Sequence, residues 1–89
     1  MEFVFEFDEA KSRANKEKHG IDFVEAEALW LDGDQLLIAA SAADEPRFVV
    51  IGRIGDKHWS AVFTCRAQTI RLISVRRSRA KEVRAYESE

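Results

Sequence analysis

A single cysteine, Cys65, leaves this 89-residue chain without a partner for an internal disulfide or a second thiol for a metal knuckle. A core limited by that length, where roughly 60–65% of the extended-chain surface can be buried, therefore lacks both common staples. A partner or an oligomer is the remaining source of extra burial. No apolar run is long enough to span a bilayer, so no membrane association is expected. Glu2 and Glu6 stand where a secretory leader needs a basic and then an apolar segment, which makes the cytoplasm the expected location. Four glycines form no phosphate loop, and neither a nucleophile elbow nor a His-Glu-x-x-His motif is present, excluding the commonest nucleotide and hydrolase signatures. With no repeat or low-complexity linker, residues 1–89 read as one domain.

What the chain has is a lopsided charge. Residues 1–46 carry 4 Lys/Arg against 12 Asp/Glu, and residues 47–89 carry 10 against 4. Between residues 66 and 84, Arg66, Arg71, Arg76, Arg77, Arg79, Lys81 and Arg84 are opposed by Glu82 alone. A half this basic in a chain of net charge −2 points to a polyanion. At 46% hydrophobic the sequence is too apolar for disorder.

Residues 2–7 alternate Phe3, Phe5 and Phe7 with Val4 and two acids, which predicts a strand. Asp8 suits an N-cap and Gly20 a left-handed C-cap, bracketing a helix whose only apolar stripe is Ala10 and Ala14. Asp22 and Glu25 have capping-box spacing ahead of a second helix running to Leu31. Four strands follow at 35–40, 47–54, 58–66 and 69–77, joined by turns short enough for hairpins, and Ser78 can cap a last helix. The order β-α-α-β-β-β-β-α, with helices packed on one face of an antiparallel sheet, is an α+β fold.

Lys11, Asn15, Lys18 and His19 fall on one face of the first helix, either contacting phosphates or simply solvated and complementing the helix dipole. Strict alternation over 69–77 sends Arg71, Ile73, Val75 and Arg77 one way and Ile70, Leu72, Ser74 and Arg76 the other. Arg66 and either Arg47 or Arg53 can join one of these sets as cross-strand neighbours. Several guanidinium forks converging on an open sheet would hold phosphates, and the bland alternative is arginines paired with the acidic first half. Asp32, Asp34, Asp44 and Glu45 sit in turns that favour Asp, so no metal site or cofactor is expected. Cys65, alternating with Phe63, Ala61 and Trp59, reads as an inert core residue, and His58 as a solvated one.

Taken together, Phe5-Glu6-Phe7-Asp8, Lys11, Asn15, Lys18-His19-Gly20-Ile21, Phe23 and Glu25-Ala26 resemble the opening signature of the BrnT family of bacterial toxins. Glu45, Arg47-Phe48, Gly52, Phe63-Thr64-Cys65-Arg66, Arg71, Ile73-Ser74-Val75-Arg76-Arg77, Glu82 and Tyr86 continue the resemblance in order. It departs at Phe7, where tryptophan is usual, and at Val75, where alanine is. The resemblance implies a RelE-like fold, a ribonuclease that arrests translation, possible action at the ribosome, and a BrnA-like antitoxin through which any DNA contact would run.

RNA cleavage without a metal needs an aligned and deprotonated 2′-hydroxyl, a protonated leaving oxygen, and positive charge on the phosphorane. His19, an imidazole that exchanges a proton near neutrality, is the first candidate for acid–base work, with Glu45 as the alternative. Arg66 and Arg76 are candidates for the transition-state clamp, and an open sheet face would give both little part in stability. Lys11, Lys18, Arg47, Arg71 and Arg77 are candidates for substrate binding. The rival classes are a nucleic-acid binder that does not cut and a protein-interaction module, which cut RNA would separate from the enzyme.

Overall fold

The computed structural model describes residues 3–41 and 45–88. Glu2 of the expected first strand and Asp44 lie outside them. The fold is α+β, in the expected order: β1 (Val4–Glu6), α1 (Glu9–His19), α2 (Phe23–Ala26) continued by a 3₁₀ turn (Glu27–Leu31), β2 (Leu36–Ser41), β3 (Arg47–Ile54), β4 (Lys57–Arg66), β5 (Thr69–Arg77) and α3 (Ala80–Glu87). No helix among the described residues is long and apolar enough to cross a membrane.

The five strands lie in the order β1-β5-β4-β3-β2, and β2 to β5 form the antiparallel meander. The sheet is nevertheless mixed, because β1 pairs parallel to β5 with Val4 opposite Thr69 and Glu6 opposite Arg71. Short connections fix the direction only of consecutive strands, and this pair joins opposite ends of the chain. A second departure lies inside β5. Phe63 is opposite Leu72 but Val62 is opposite Ser74, so Ile73 is an extra residue bulged between them. The bulge shifts the alternation by one. Ile70, Leu72 and Val75 now share a face with Trp59, Ala61, Phe63 and Val50, under Phe23, Ala26, Leu29 and Trp30 of the helical segment. Arg71 and Arg76 come to the other face together, while Arg77 stays with the core face, its guanidinium 5.5 Å from the Trp59 ring centroid.

Both expected N-caps form: Asp8 accepts from the Lys11 N–H at 3.0 Å, and Asp22 and Glu25 close a reciprocal box at 2.7 and 2.9 Å. Gly20 takes the left-handed C-cap at φ 85°. The way α1 docks was not foreseen, since Ala10 and Ala14 are exposed and its buried residues are Ser12 and Asn15. The Asn15 amide donates to the Val75 carbonyl at 2.8 Å and accepts from the Val75 N–H at 3.2 Å, replacing the neighbour strand where β1 has ended. It also donates to Ile21 O at 2.8 Å, while the Ser12 hydroxyl accepts from the Phe23 N–H at 3.0 Å. Asn15 is thus turned inward, not displayed on an outer polar face. Asn15→Ala strands both Val75 groups and should cost about 2 kcal/mol, read as an early chemical-denaturation midpoint with an unchanged slope; a midpoint equal to wild type would remove Asn15 from this role.

Helices cover both faces of the sheet rather than one. Ser78 continues the β4–β5 ladder through its N–H to His58 O at 3.0 Å, so α3 starts one residue later, capped at Arg79, and folds over the face opposite the main core. Its Glu82 and Glu87 bond to Ser60, Arg76 and His58 there, and Ile51 is fully buried beneath. His58 is therefore paired with Glu87 at 2.6 Å instead of merely solvated. Asp32 ties the layers together by accepting from Asp34 N–H at 2.8 Å, Arg53 N–H at 2.8 Å and the Tyr86 hydroxyl at 2.6 Å. That short bond to a carboxylate holds the Tyr86 phenol up at about 12.

Candidate RNA-cleavage site

Among the described residues, α3 covers only one end of the face that carries it. At the other, the cross-strand row through Thr64 and Arg71 brings together residues from four strands and a turn. Arg47, one step beyond the Phe48–Phe63 pair, is level with Thr64, and Arg66 lies two residues along β4 on the same face. Thr64 is only 1% exposed because residues 45–46 cover it, its hydroxyl donating to Pro46 O at 2.8 Å. That bond places Glu45 over the arginines. Arg66 grips it through Nε at 3.0 Å and Nη2 at 2.8 Å, both to Oε2, so neither bond uses Oε1. Glu6 faces Arg71 from β1 at 3.6 Å. Asp8 is close enough that Arg71 adds to the Lys11 N–H bond, the main cause, in holding its carboxyl below the usual range.

The arrangement is a cationic floor whose charges are matched by loosely held carboxylates. Side chains of Arg66 and Glu45 are 60% and 44% exposed, and such a pair is worth only about 0–1 kcal/mol in water. Arg66 Nη1 enters neither bond to Glu45, so a phosphodiester or phosphorane oxygen can take it while the grip on Glu45 stays.

Arg76 is a different case. Both its terminal nitrogens are occupied by Glu82, at 2.7 and 2.9 Å, and the two side chains are only 22% and 18% exposed. Glu82 also accepts from Ser60 Oγ at 3.0 Å and the Arg79 N–H at 2.8 Å, and the Arg76 fork foremost brings its carboxyl down to about 2. This is a clasp holding α3 to the sheet. Arg76 stands opposite Ser60, four residues along β4 from Thr64, or roughly 13 Å. The bland alternative of arginines paired with acids thus holds for all three: Arg66 and Arg71 loosely, with Glu45 and Glu6 of the acidic first half, and Arg76 firmly, with Glu82 of its own half.

Of the other candidates, Arg77 is on the core face, and Lys11 and Lys18 are exposed at opposite ends of α1. His19 is half-buried beyond the Asn15–Val75 contact, while Arg66 is level with Thr69, six residues or roughly 20 Å back along β5. His19 is not part of the arginine cluster. Cys65, expected in the core, is exposed, because the helices stop short of that end of the face. Glu6 and Thr64 were missed as site members; Glu6 is 65 positions from Arg71, so only the β1–β5 pairing reveals it. Among the described residues no group of three His, Cys, Asp or Glu side chains could hold a metal ion.

Residues 7–82 match the family of BrnT ribonuclease toxins of type II toxin–antitoxin systems. The chain belongs to the BrnT family. It matches no curated protein in a sequence search. Membership makes the chain a ribonuclease toxin, and the type II class implies an RNA substrate and a protein antitoxin. The match includes every member of the arginine cluster and both glutamates of the turn and clasp, Glu45 and Glu82, leaving out only Glu6 among the residues described at the site.

Proposed function

We propose that this BrnT toxin cleaves RNA at the Glu45–Arg66 pair by attack of the substrate's own 2′-oxygen, without a metal. Glu45 Oε1 takes the 2′-proton as O2′ bonds to phosphorus, the bond to O5′ breaks, and O5′ takes up a proton from water. Arg66, Arg71 and Arg47 hold the phosphorane charge. The single observation behind this reading is the side-on grip of Arg66 on one oxygen of Glu45, which aims the other without consuming it. Proton transfer falls to Glu45 in preference to His19 because of position along β5. The toxin acts in the cytoplasm, on free or ribosome-held message, until a BrnA-like antitoxin covers it.

Purified protein should cut RNA in excess EDTA, leave a 2′,3′-cyclic phosphate or the 3′-phosphate derived from it, and spare both DNA and RNA methylated at the 2′-oxygen of the cut site. The measurement is analysis of product ends, with ribosomes added in a parallel reaction. Loss of ribosome-free activity in EDTA that magnesium or manganese restores would overturn the mechanism.

A further inference from the structure

β2 ends the sheet, and nothing in the described structure pairs with its outer edge. It is six residues long, Leu36-Leu37-Ile38-Ala39-Ala40-Ser41, with no charge and no proline. Proteins normally blunt such an edge with lysine, proline or a covering segment, because its unpaired N–H and C=O groups template another strand. Leu37, 59% exposed, stands on the core face and lines a groove of about 500 Å³ with Phe3, Trp30, Phe63, Cys65 and Ile70, and none of the groove's lining residues is charged. The far end of β2 is different: Ser41 is opposite Arg47, so the edge runs from an apolar groove to the arginine cluster of the other face.

We propose that the antitoxin docks by adding a strand to β2, with apolar side chains entering the groove beside Leu37 and acidic side chains meeting Arg47 beyond Ser41. The inference rests on the toxin reading above, which requires a protein that blocks the cluster. Charge decides the occupant's pattern. An uncharged groove accepts alternate apolar residues, and the arginines accept carboxylates at one end. A second copy paired antiparallel at this edge would bring its own Asp34, ahead of its Leu36, toward Ser41, so the oligomeric state is measured beside antitoxin binding.

The test uses the toxin alone and its complex with the co-expressed antitoxin. Hydrogen exchange of the Leu36–Ser41 amides should slow by about 10-fold or more in the complex. Leu37→Asp should weaken antitoxin binding by about 30-fold or more while RNA cleavage by the free toxin stays within about 2-fold of wild type. β2 amides that exchange equally fast in both states, or an affinity within about 3-fold of wild type, would overturn the proposal. So would a toxin dimer, seen by sedimentation, that Leu37→Asp dissolves, since the edge would then belong to a second copy. A wild-type protein that cuts no RNA yet loses its partner on Leu37→Asp would refute the cleavage mechanism and leave the docking surface standing.

Discussion

Arg66→Ala should lower RNA cleavage by about 10²- to 10³-fold, the loss seen when one preorganised donor to a developing anion is removed. The fold should hardly register it, because an exposed pair worth about 0–1 kcal/mol moves the melting point of a chain this size by no more than about 5 °C. Arg66→Lys keeps the charge and loses the side-on fork, so it should recover only part of the rate. Glu45→Gln separates positioning from proton transfer: the amide can still accept from Arg66 but not take a proton, and the rate should fall by about 10²-fold or more. Wild-type cleavage by Glu45→Gln, together with a comparable loss in His19→Ala, would return the proton to the imidazole. Wild-type cleavage by Arg66→Ala would remove the cluster from the reaction.

Local signals carried most of the fold. Caps at Asp8, Gly20 and Asp22 and the strand limits at 47–54 and 69–77 are each set by residues within a few positions, and they fall where the sequence places them. What could not be read is everything set by an insertion or a distant partner. Ile73 belongs to an alternating run, and only the opposing strand shows that it is one residue too many. The consequence reaches the site: with strict alternation Arg71 and Arg76 would lie on opposite faces, whereas the bulge puts both on the face of Arg66. Helix α1 offered an apolar stripe too weak to dock it, and the docking force is instead two polar side chains satisfying buried backbone at Val75 and Phe23.

The site was legible in composition but not in pairing. A concentration of arginine announced phosphate, and the RNA chemistry required only a few further groups. Which arginine answers to which acid depends on contacts 6, 21 and 65 positions apart in sequence: Arg76 with Glu82, Arg66 with Glu45, Arg71 with Glu6. Those separations divide one basic run into an exposed cationic floor and a half-buried clasp.

Arg76→Ala should therefore behave as a stability variant, contrary to what an open sheet face implies. Removing the fork leaves Glu82 half-buried against Ser60 with its main counter-charge gone, at a cost of about 2–3 kcal/mol, less than for a fully buried pair. For a chain of this length that is a fall of about 10–20 °C in melting temperature. Acidity gives the second signature. Glu82 has a folded value of about 2 against an ordinary 4.5, so its contribution is complete above about pH 4.5 and is lost as the pH falls toward 2. Allowing for partial solvent exposure, that contribution is about 2 kcal/mol. Wild type should lose this increment between pH 5 and 2, and Arg76→Ala should lose much less of it, since the fork that lowers Glu82 is already gone. Arg76→Ala and Glu82→Ala together should cost less than the sum of the two alone. Below its own melting range, Arg76→Ala should keep more cleavage activity than Arg66→Ala. An unchanged melting point and acid profile, with activity lost as completely as in Arg66→Ala, would make Arg76 a phosphate clamp after all.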